Sequence, residues 1–106
     1  MAWFYLFVAS IFEVGWPVGF KMADLSEKSK ITWILFSALA MTLSGIFLYI
    51  SQKTIPIGTA YAIWSGIGTT CTFIVGILFF ADTSDIMRIL GALFIVTGVV
   101  LLKLSN

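Results

Sequence analysis

Histidine is absent from the 106 residues, cysteine occurs once and charged residues make up only 10% of the chain. Each scarcity excludes something. Without histidine, a proton relay working near neutral pH must use a carboxyl group and not an imidazole. With Cys71 alone, no internal disulfide can form and no cysteine-based metal site is expected. A net charge of +1 with no basic run leaves nothing to bind a phosphate backbone, so no nucleic acid partner is expected. There is no metal-binding cluster and no nucleophile–base pair either, which argues against an enzyme.

Apolar residues are abundant instead, at 60%, with 16% aromatic. A soluble domain of this length needs far more polar surface, so the solvent is lipid. The apolar residues fall into four runs, about 2–20, 31–50, 55–80 and 86–102. A helix crossing the hydrocarbon core needs ~20 such residues. Lipid cannot satisfy exposed backbone groups, so the runs are expected to be helices. The fold class is therefore an all-α membrane protein, a single four-helix transmembrane domain over 1–106. The first run is read as a span and not a signal peptide. It lacks a preceding basic region, carries an acid at its centre and shows no small-residue cleavage pattern.

Four spans put both termini on one side. Lys21, Lys28, Lys30 and Arg88 then face one side, Lys53 and Lys103 the other. That bias is too small for the positive-inside rule to set an orientation. Insertion both ways round and insertion one way both stay open. Four helices can barely enclose a cavity, so a dimer at minimum is expected.

Glu13 is the charged residue deep inside an apolar run. A carboxylate there is costly, and it usually faces a partner, an ion or a wet cavity. Helical spacing puts Ser10, Glu13, Trp16 and Pro17 on one face. Trp16 offers an indole N–H, and Pro17 can kink the helix just past the acid. The plainer alternative is a structural acid paired with Lys21, and a Trp16 that only packs. Gly15 and Gly19 form a small-xxx-small pair suited to helix contact.

In the third run Tyr61 and Trp64 share a face, with Gly68 one turn further. A phenol, an indole and a carboxylate together can hold a small organic cation by charge, hydrogen bonds and cation–π contact. An aromatic core stripe is the alternative. Gly66 and Gly68 make either a hinge or a packing surface. Ser37, Thr42 and Ser44 of the second run are expected mostly to bond back to their own helix. Gly91 and Gly98, seven apart in the fourth run, look like a helix–helix contact.

Along its length the chain resembles the small multidrug resistance family of bacterial inner-membrane exporters. The resemblance rests on the four-span layout, the acid in IFEVGW, the run PIGTAYAIWSGIG and the glycine-spaced fourth helix. It implies an antiparallel, dual-topology homodimer in which both Glu13 side chains are shared by substrate and protons. A tryptophan three residues after the acid is the mark of the guanidinium exporter subtype, and Trp16 matches it. The resemblance further implies that Trp16 and Ser44 hydrogen-bond and orient Glu13 while Tyr61 and Trp64 line the pocket. Pro17 and Ser10 depart from the family's usual residues and bear on pocket width. Some members pair with a related chain, so a heterodimer stays open.

The expected function is proton-coupled antiport that exports guanidinium or small substituted guanidinium cations, with no cofactor beyond the coupling protons. Guanidinium is planar and forked, so it meets a carboxylate with two parallel hydrogen bonds. The rivals are a polyspecific exporter of quaternary ammonium or aromatic cations, a cation channel, and an assembly subunit of a larger membrane complex.

Overall fold

A computed structural model describes residues 1–105 as four α-helices and the links between them. They are α1 (Ala2–Leu25), α2 (Lys30–Ser51), α3 (Ile57–Phe79) and α4 (Ile86–Ser105). All four are long and apolar enough to cross a membrane, so the chain is a multi-pass membrane protein. α1 runs on past the apolar stretch through Lys21 and Asp24. Helical hydrogen bonds need no apolar side chains, so the last turn continues into water.

Pro17 lies inside α1 without ending it. It has no N–H to give the carbonyl of Glu13, four residues back, so that acceptor is released from the helical ladder. Pro56 instead opens α3, where a missing N–H costs little, and its carbonyl accepts the N–H of Ala60 at 2.9 Å. Asp85 caps α4, its Oδ1 accepting the N–H of Arg88 at 3.0 Å.

Short links make α1 and α2, and α3 and α4, antiparallel neighbours, while α3 packs on α1 more than on α2. The tightest seam joins α1 to α2, because both helices present small residues there. A Cβ on Gly15 would lie 3.1 Å from that of Ala40, and one on Gly19 would collide with the Ser37 hydroxyl. A small apolar core of Leu6, Ile55, Ala60 and Ile63 sits under Trp3, Trp64 and Val99.

α4 packs mainly on α3, touches α1 where Lys103 lies over the Trp3 ring at 4.2 Å, and has no buried residue. Gly91 and Gly98, expected to meet another helix, meet nothing within 4 Å inside the chain. Gly66 does face α4: a Cβ there would come within 2.5 Å of Val99. The described chain is a slab, 46 × 35 × 16 Å. A helix with its side chains is ~10–12 Å across, so a slab this thin cannot surround a chamber.

Candidate functional site

Glu13 and Trp16 are one turn apart on α1, and the spacing brings their side chains together. The indole Nε1 of Trp16 donates to Glu13 Oε1 at 2.6 Å. The acid's partner is thus Trp16 and not Lys21. The indole is itself held, its ring edge-on to Phe20 at 5.8 Å. Ser37 of α2 donates to the Trp16 carbonyl at 2.9 Å. One carboxylate oxygen is therefore oriented by a neutral donor, and the lone pairs of the other remain for a guest.

Glu13 also packs across to α3. A Cβ on Gly68 would reach within 2.7 Å of Glu13 Cγ. Gly68 is buried because the acid's stem fills the place of its side chain. Of the two readings of the central glycines, the packing one describes both Gly66 and Gly68 here.

Ser44 does not touch Glu13. Its hydroxyl donates to the Ala9 carbonyl at 2.8 Å and accepts the Trp64 indole N–H at 2.9 Å. The expectation that it orients the acid gives way to a three-helix link, Trp64 to Ser44 to Ala9. Ser44 is buried at the α1–α2 seam, where the nearest acceptor is backbone of α1. Ser10 also differs from its expected place in the pocket. It is fully buried and donates to Leu6, four residues back, at 2.9 Å. A buried hydroxyl with no outside partner turns to its own helix.

Tyr61 and Trp64 do meet, with ring centroids 5.3 Å apart and tilted at 58°. Trp64 is tied inward through Ser44, whereas Tyr61 is 57% exposed on this chain. Thr42 bonds back to Ala38 as expected of a lipid-side hydroxyl, but Ser37 and Ser44 reach across to α1. The sequence held a signal for this. Ser37, Ser44 and Ser51 recur every seven residues on α2, and all three are buried. Such a stripe of small hydroxyls marks a close helix contact.

Replacing Ser44 with alanine strands the Trp64 N–H and removes the second hydrogen bond of the Ala9 carbonyl, which keeps its helical one. A buried group left unpaired costs ~1–3 kcal/mol. The expected result is a lower thermal midpoint, followed by circular dichroism in detergent, and a shifted tryptophan emission. An unchanged midpoint and spectrum would show that the link carries no weight.

Among the described residues no group of three or more His, Cys, Asp or Glu side chains could hold a metal ion. The arrangement instead offers one acid with an aligned indole donor, and a separate aromatic pair, Tyr61 and Trp64. A carboxylate so oriented can bind and release a cation or a proton.

Residues 1–95 match the family described as Small Multidrug Resistance protein. The guanidinium exporter of Proteus vulgaris is 40% identical over 106 residues, covering 100% of both chains. That of Salmonella typhimurium is 40% identical over 105 residues, 99% of this chain and 98% of the relative. That of Escherichia coli is 37% identical over 106 residues, 100% of this chain and 99% of the relative. With a family match over nearly the whole length and an acid–indole pair at the heart of its first helix, the chain belongs to the small multidrug resistance family.

Proposed function

We propose that this protein is a proton-coupled antiporter that exports guanidinium and small substituted guanidinium cations across the bacterial inner membrane. The observation that carries the reading is the hydrogen bond from Trp16 to Glu13. It fixes the carboxylate plane so that the remaining lone pairs can meet two N–H groups of a planar fork. The naming of full-length bacterial relatives as guanidinium exporters supports the same substrate.

In the working cycle Glu13 holds either a proton or the cation. Protonation removes the charge that binds guanidinium, and a bound guanidinium occupies the oxygens that a proton would take. Competition for one group, together with alternating access, gives exchange of protons for the cation. Trp16 orients the acid. Tyr61 and Trp64 supply π faces, with Trp64 set by Ser44.

The working unit is an antiparallel homodimer in which each whole chain acts as one four-helix domain. Three observations support a second copy. The slab is too thin to enclose a chamber. Gly91 and Gly98 offer a bare strip on α4, seven residues apart. Tyr61, more than half exposed on this chain, presents a phenol from a membrane-spanning helix. The small charge bias between the loops fits copies inserted both ways round.

Purified protein in liposomes tests the reading. Currents driven by guanidinium, methylguanidinium and tetraphenylphosphonium would be compared under opposed proton gradients, with no second chain present. Exchange with the two guanidinium ions and little with the bulky cation is expected. The opposite order would assign the protein to polyspecific export, and silence with all three would point to a required partner chain.

A further inference from the structure

The α1–α3 seam does not end at Glu13. Glu13, Pro17 and Lys21 follow one another every four residues on α1, and Gly68, Thr72 and Gly76 do so on α3. Glu13 fills the space beside Gly68. One to two turns further on, Pro17, Lys21, Thr72, Gly76 and Asp82 line a cleft of about 280 Å3. Lys21 lies eight residues beyond Glu13, ~12 Å along the helix axis at ~1.5 Å per residue. The cleft is therefore the end of the seam that holds the acid.

Its two charged walls differ in freedom. Asp82 is pinned. Ala81 turns into the left-handed region at φ 57°, folding the α3–α4 link back over the helix end. The Asp82 N–H then donates to the Gly76 carbonyl at 3.0 Å. Its carboxylate lies on Gly76 in the space that a Cβ would fill. Lys21, by contrast, is exposed and carries its ammonium on a flexible four-carbon stem. The neighbouring charges are occupied or placed elsewhere. Asp85 caps α4, Arg88 donates to the Thr83 carbonyl and lies over Phe73, and Asp24 stands one turn beyond the cleft on α1.

We propose that Lys21 and Asp82 form a latch, a mobile ammonium closing on a fixed carboxylate, that seals the α1–α3 cleft at one membrane face. Asp82 is then a positioning residue for exchange at Glu13, acting through Lys21 and touching neither substrate nor proton. The inference rests on the antiporter reading above. In an antiparallel pair the same end of the seam faces opposite sides in the two copies. Closing one latch while the other opens gives the site access to one side at a time.

Guanidinium binding and liposomal exchange would be measured on the unaltered protein, Asp82→Asn, Lys21→Gln and the charge swap Lys21→Asp/Asp82→Lys. Each single variant should bind guanidinium as before yet exchange it about fivefold more slowly, the shift expected when one surface ion pair biases two states. The swap should restore exchange. Exchange as fast in Asp82→Asn as in the unaltered protein, a swap no faster than the singles, or loss of binding along with turnover would overturn the latch alone. Failure of the unaltered protein to exchange on its own would remove the homodimeric antiporter reading and the latch with it.

Discussion

Replacing Glu13 with glutamine is expected to abolish proton-coupled guanidinium exchange. The amide keeps the shape of the side chain, and its oxygen can still accept the Trp16 indole N–H that Glu13 accepts at 2.6 Å. It also preserves the stem that fills the space beside Gly68, so the fold should survive. What disappears is the charge and the titration. A glutamine cannot take up and release a proton in the working range. It offers one acceptor and one donor group where guanidinium needs two acceptors. A charged hydrogen bond is worth ~1.5–3 kcal/mol, so binding should weaken by roughly 10- to 100-fold. Coupling should vanish altogether. Currents in liposomes, with binding measured on the same preparation, check both parts. Coupled exchange by the glutamine variant would remove Glu13 from the mechanism.

Replacing Trp16 with glycine should shift selectivity as well as affinity. The variant loses the donor that fixes the Glu13 carboxylate, and it opens the volume of an indole held edge-on by Phe20. Guanidinium binding should fall by about tenfold, the worth of one charge-assisted hydrogen bond. Quaternary ammonium ions should gain entry to the opened volume. Glycine also costs ~1 kcal/mol in a helix interior, so Trp16→Phe serves as the companion. It keeps the bulk and drops the donor. Weakened guanidinium exchange without admission of larger cations is expected of it. If the glycine variant keeps the original substrate preference, Trp16 does not set pocket width.

The local parts of this site were legible in the sequence because helical geometry alone decides them. Glu13 and Trp16 are three residues apart, and so are Tyr61 and Trp64, and both pairs meet. The four helices were legible because lipid leaves an apolar run of that length little choice. What could not be read was anything that depends on which helix stands opposite. Ser44 shares its chemistry with Thr42, yet one faces the Ala9 carbonyl and the other only its own helix. Ser10 lies on the same face as Glu13 by spacing but is fully buried and bonded back to Leu6. The sequence leaves Gly68 as either a hinge or a packing point, and nothing in its own run names Glu13 as the group it makes room for. Pairings between helices are set by the packing of the whole bundle, which periodicity does not encode.

The acid and the indole that steers it ride on a single rod, α1, within one turn. A rigid-body tilt or shear of that rod moves them together and leaves their spacing unchanged. On the antiporter reading, whatever selection this pair exerts would travel with the rod and would act alike on a cation arriving from either face.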